Sequence, residues 1–131
     1  MSVTEARPDL AAHTRAMRAS FPEVVGELRQ LLGARLVAYL GGVRETRAVH
    51  QWADNDDDRR PSAEVQQRLR LALQVALPIA EADSNEIAQA WFQGLNPQLD
   101  DRSPARMLRD GDLEEAGPAV VAAARAFLVG G

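Results

Sequence analysis

Cysteine is absent, and so is lysine: all fifteen basic residues are arginine. Without cysteine there are no disulfides, no thiolate metal sites and no thiol nucleophile, although that absence assigns no compartment by itself. The missing lysine reflects genome composition as readily as chemistry. Histidine is scarce; His13 and His50 stand far apart, so no pair falls at metal-ligating spacing. A glycine-rich phosphate cradle following a strand is also missing, and these gaps together argue against an enzyme and imply no cofactor. Positive charge is not in excess. The formal net charge is −4, so any nucleic-acid contact has to come from a local patch. No apolar run reaches membrane-spanning length, and Met1 to Ser20 is too polar for a secretory signal. A cytoplasmic protein with no membrane partner is expected.

What is present favours helix. With 46% hydrophobic and 26% charged residues the composition is that of a globular protein, and Ala, Leu, Arg, Glu and Gln dominate. At 131 residues this predicts an all-α chain, either one domain or two small helical lobes sharing a core. Residues 1–19, with Arg7, Arg15 and Arg18, form a flexible N-terminal arm holding a weak helix from Asp9 to Arg18. Ser20 and Glu23 have capping-box spacing, and Phe21, Val24, Val25, Leu28, Leu31 and Leu32 recur at helical intervals until Gly33. A short helix with Leu36, Val37 and Leu40 ends at Gly41-Gly42. The next, from about Glu45 to Ala53, turns Ala48, Val49 and Trp52 inward and Arg44, Arg47, His50 and Gln51 outward. Two short helices about a glycine turn, after a longer packing helix, predict a helix-turn-helix-like lobe over 20–61. The helix after such a turn reads the major groove, which nominates Arg44, Arg47, His50 and Gln51 as DNA-binding residues.

The run Asp54-Asn55-Asp56-Asp57-Asp58 opposes that use. Carboxylates beside DNA repel phosphate, and Arg59 and Arg60 offset only part of the charge. A DNA reader and a module used only for packing or dimerisation both stay open. Asp54, Asp56 and Asp58 also mimic the start of a calcium loop. Arg59 stands where the loop needs glycine and Val65 where it needs glutamate, so a solvated loop and no metal are expected.

From Pro61-Ser62 a long helix is expected to about Glu81. It buries Val65, Leu69, Ala72, Leu73 and Ala76, exposes Glu64, Gln67, Arg68 and Arg70, and kinks or breaks one turn before Pro78. Asp83 and Glu86 have the spacing to cap the next helix, which carries Ile87, Ala90 and Trp91. A rigid corner follows. Asn96-Pro97 makes a turn, Ser103 caps a helix with Pro104 at its first position, Met107 and Leu108 give it an apolar side, and Gly111 ends it in the left-handed conformation. Large apolar residues surround this corner, Trp91, Phe92, Leu95 and Leu99, and must be packed by the chain or by another protein. Trp52 and Trp91 are core anchors. Gly117-Pro118 splits the last stretch, and the stripe Val120, Val121, Ala124, Phe127 and Leu128 either closes the core or makes a contact surface.

The fixed spacing of Trp91, Asn96, Pro97, Leu99, Ser103, Pro104, Leu108 and Gly111 resembles the toxin-binding domain of Xre/MbcA/ParS-type antitoxins. The likeness reaches more loosely back to Phe21, because Xre-type antitoxins carry a helix-turn-helix domain ahead of that region. Between Val43 and Trp52 this chain has one residue more than the usual motif. The resemblance implies a non-enzymatic antitoxin of a type II toxin–antitoxin system, which occludes a RES-type, NAD-degrading toxin and represses its own operon. Its partners are then the protein toxin, a second copy in a homodimer, and operator DNA. A helical toxin-binding lobe is implied over 62–131. In it Trp91, Pro97, Leu99, Ser103, Pro104, Leu108 and Gly111 form the scaffold, while Asn96, Gln98, Asp100, Arg102, Arg106 and Arg109 face the partner. Two rival expectations are a helix-turn-helix regulator without a toxin, and an adaptor that no longer binds DNA.

Overall fold

The computed structural model describes residues 8–130, and among them the chain is all-α, eight α-helices and one 3₁₀ turn with no strand. They are α1 (Pro8–Arg18), α2 (Phe21–Leu32), α3 (Ala34–Leu40), α4 (Thr46–Ala53), α5 (Ala63–Ala82), α6 (Asn85–Gln93), the 3₁₀ turn (Pro97–Leu99), α7 (Pro104–Asp110) and α8 (Leu113–Gly130). Among the described residues no helix is long and apolar enough to cross a membrane.

Serine opens several helices. Ser20, Ser62, Ser84 and Ser103 each accept a hydrogen bond from the backbone N–H three residues on, satisfying an amide that the helix itself cannot. At α2 the capping box closes, with the Glu23 carboxylate accepting from the Ser20 N–H at 2.9 Å. That backbone bond, and after it the bond with the Ser20 side chain, hold the Glu23 carboxyl below the ordinary glutamate range. The cap of α6 is Ser84 and not Asp83, which instead closes α5.

The helices assemble around α5. It buries Leu69, Ala72, Leu73, Val75, Ala76, Leu77, Pro78 and Ile79, and α1, α2, α6 and α8 all pack on it. One apolar cluster results, running from Ala12 on α1 to Ala124 on α8. Of the arm expected over residues 1–19, the part from Pro8 is therefore a packed helix, with Ala12 and Ala16 buried one turn apart; residues 1–7 lie outside the described ones. The expected lobes at 20–61 and 62–131 meet on α5, because α2 rests on both α5 and α6.

Neither proline breaks its helix. α5 runs on through buried Pro78 and α8 through Pro118, each losing only the one bond to the carbonyl four residues back. Burial of the Pro78 ring among core residues offsets that loss, and in α8 Gly117 lets the backbone approach α5, where a Cβ would stand 3.1 Å from Leu71 Cδ2. The stripe on α8 closes the core, with Val120 and Ala124 buried and Val121, Phe127 and Leu128 packed beside them.

Two of the α5 side chains expected in solvent are not there. Arg68 is 8% exposed and donates to the Leu40 carbonyl at the end of α3, at 2.9 Å. Arg70 donates to the Ala16 and Ala19 carbonyls at the end of α1, at 2.8 and 2.7 Å. On α6, Gln89 donates to Leu31 and Asn85 to Gln30 at the end of α2. Side chains of α5 and α6 thus satisfy the orphan carbonyls of α1, α2 and α3.

Candidate protein-binding corner and arginine groove

Asn96 organises the corner. Its Oδ1 accepts from the Gln98 N–H at 2.9 Å, its carbonyl accepts from the N–H groups of Leu99 and Asp101, and its N–H donates to the Arg102 carbonyl. The side-chain oxygen expected to face a partner is therefore engaged within the chain. Asp100 and Asp101 follow in the left-handed region, at φ 55° and 61°. Short polar side chains tolerate that region better than most, at roughly 1–2 kcal/mol per residue, and the surrounding bonds hold it. Ser103 then caps α7 through the Arg106 N–H, with Pro104 buried at its first position and Leu108 fully buried.

Beneath the corner, Trp91 meets Phe92 edge-on at 5.2 Å and Phe127 at 6.4 Å. Its indole Nε1 is buried without a hydrogen-bond partner. Leu99 is buried here, whereas Pro97 is exposed. Gly111 is extended rather than left-handed, at φ −88° and ψ 164°. Glycine is required there for space, since a Cβ would stand 2.7 Å from the Met107 carbonyl oxygen.

Gln98, Asp100, Arg102 and Arg106 are exposed; Arg102 Nε donates to the Leu99 carbonyl at 3.4 Å, and the long ion pairs Asp100–Arg102 and Arg106–Asp110 are both 3.7 Å. Pairs so exposed contribute little to stability and are free to exchange partners. Leu95, next to Asn96 in the chain, is 77% exposed. Arg109 differs: it is half-buried, its guanidinium lies 4.4 Å from the ring centre of Tyr39 on α3, and Asp110 is 3.9 Å away.

That stacking joins the corner to the first half of the chain and shapes a groove of about 660 Å³. It is lined by Arg35, Tyr39, Val43, Arg44, Glu45, Thr46 and Arg109. Arg44 and Arg109, nominated for different roles, meet in it. Across Tyr39 and Arg35 a second hollow of about 750 Å³ reaches Gln93 and Ser103. Arg35 and Tyr39 stand one turn apart on α3, a spacing visible in the sequence but hidden by attention to the apolar Leu36, Val37 and Leu40.

The other nominated DNA contacts, Arg47, His50 and Gln51, fall within one turn of α4. Arg47 is exposed, Gln51 is half-buried, and His50 Nδ1 accepts from Arg29 on α2 at 2.8 Å. Beyond α4 the acidic loop is partly satisfied by itself. Arg59 grips Asp57 with Nε at 3.0 Å and Nη2 at 2.8 Å, which holds the Asp57 carboxyl below and the Arg59 guanidinium above their ordinary ranges. Arg60 donates to the Asp57 and Arg59 carbonyls. Asp54, Asp56 and Asp58 remain exposed, and among the described residues no group of three or more His, Cys, Asp or Glu could hold a metal ion.

No family model, no curated protein and no solved structure matches the chain.

Proposed function

We propose that the chain is an antitoxin of a type II toxin–antitoxin system, and that its corner from Leu95 to Asp110 docks on a RES-type toxin and blocks the entrance to its NAD-degrading site. The preorganisation of the corner carries this reading. Asn96, the two left-handed aspartates and the Ser103 cap fix the backbone, so docking orders little that is not already ordered. That frame carries an exposed leucine, Leu95, and the exposed polar side chains Gln98, Arg102 and Arg106. The antitoxin supplies no chemistry; it excludes substrate by occupying space. Co-expression tests it. Leu95→Asp with Arg106→Glu alters only exposed side chains, so helical content should persist while toxin affinity falls at least about a hundredfold, equivalent to roughly 2–3 kcal/mol. NAD should then collapse in cells carrying the toxin. Equal protection by the variant would overturn the assignment of the inhibitory surface.

A second use, operator binding and autorepression, is favoured by exposed Arg44 and Arg47 following the Gly41-Gly42 turn, where Gly42 has φ 76°. In that reading α3 and α4 act as a helix-turn-helix. The acidic loop at the end of α4 opposes it, as does the engagement of His50 by Arg29.

A further inference from the structure

Arg35 and Arg44 make no ion pair among the described residues, although Glu45 lines the same groove. Of the three guanidinium groups in the groove, that of Arg109 has Asp110 at 3.9 Å, which leaves Arg35 and Arg44 against Glu45. At the far end of α4 the opposite excess stands exposed, as Asp54, Asp56 and Asp58, with only Asp57 held by Arg59. The two features are separated by the eight residues of α4, about 12 Å of helix, so the loop cannot fold back into its own groove.

We propose that the chain pairs with a second copy of itself through α4, the Asp54–Asp58 loop of each copy seated in the arginine groove of the other. Charge complementarity selects this occupant. The basic and acidic surfaces flank one short helix, and an antiparallel second α4 presents the same two surfaces in reverse order at the same separation. Both contacts form at once, which is a two-fold, self-complementary interface. Centred between Val49 and His50, the pairing sets Arg44 across from Asn55 of the other copy, in the middle of its acidic run. Antiparallel helices also bring the positive end of each dipole to the negative end of the other. Exposed Arg47 lies one turn inward, on the path to that loop. Of the proposed toxin-docking corner only Arg109 lines this groove; Leu95, Gln98 and Arg106 do not, so the substitutions that test the two proposals fall on different residues. The pairing covers α4 and so excludes simultaneous use of that helix on DNA.

Light scattering or sedimentation of the whole chain tests the pairing. The screening length falls from about 30 Å at 0.01 M salt to about 3 Å at 1 M, so a dimer at low salt should weaken at least tenfold across that range. Arg35→Glu with Arg44→Glu should give a monomer, as should Asp56→Arg with Asp58→Arg. An equimolar mixture of these two variants should regain a dimer containing one of each, because one contact is then the native pair and the other the same pair with its charges reversed. The gentler pair Arg35→Gln with Arg44→Gln should weaken the dimer without abolishing helix signal, separating lost pairing from lost folding. A monomer at low salt, a dimer indifferent to salt and to both reversals, or failure of the mixture to pair overturns the proposal. Assembly beyond two copies overturns its two-fold form.

Discussion

At the scale of single residues, the fold depends on places where no atom can be added. Gly41 closes α3 in ordinary right-handed backbone, at φ −76°, so an alanine meets no conformational obstacle there. What it meets is Trp52, with Cζ3 at 2.7 Å and Cη2 at 3.0 Å from the position of its Cβ. The gain from a less mobile unfolded chain is about 0.4–1 kcal/mol, while overpacking a filled core costs about 1–3 kcal/mol. The second effect is larger. Gly41→Ala should therefore lower unfolding stability in urea by about 1–2 kcal/mol and shift Trp52 fluorescence, which reports the ring moving. A more stable variant with unchanged fluorescence would show that the ring yields freely and that the glycine is not held by packing. The sequence makes this glycine visible as a helix stop, but its contact with Trp52 depends on how α4 folds back on α3.

Helix ends were the most legible elements, since serine caps and glycine stops act through neighbours in sequence. Helix interiors were less so, because tertiary packing decides what happens to Pro78, Pro118, Arg68 and Arg70. Arg68 is instructive: it falls between Val65 and Leu69 on the apolar stripe of α5, and charge alone suggested solvent. Its stem lies along the core while its Nη1 reaches the last carbonyl of α3, and Glu64 stands 3.6 Å away, one turn earlier. Arg68→Met keeps the stem and removes the donor, leaving the Leu40 carbonyl buried and unsatisfied. The expected loss is about 1–3 kcal/mol, read as a lower urea midpoint at unchanged slope. Arg68→Lys should restore part of it, since an ammonium still places positive charge at the end of α3. If Met and Lys variants unfold alike and close to the unsubstituted chain, the buried bond contributes nothing and α5 holds α3 by apolar contact alone.

For the whole molecule the question is whether the two expected lobes are thermodynamic units. Composition and periodicity suggested a boundary near residue 61, and the Pro61-Ser62 restart of the chain supports it locally. The packing does not. One apolar cluster runs from α1 to α8, and the ends of α1, α2 and α3 are satisfied by side chains from α5 and α6. Removing the second half would leave those carbonyls orphaned and expose α2, so the first half should not persist once α5 is lost. Trp52 and Trp91 report on the two halves separately, which makes the point measurable. In each single-tryptophan protein, Trp91→Phe or Trp52→Phe, the fluorescence transition should coincide with loss of helical circular dichroism in the same sample. Comparison within one sample removes the effect of the substitution on stability, so only cooperativity is tested. Separate midpoints, with Trp91 holding its signal after Trp52 has lost it, would establish the second half as a unit able to stand alone. Coincidence would mean that a partner gripping the corner also stabilises α4 and its acidic loop, because ligand binding to a two-state protein stabilises all of it.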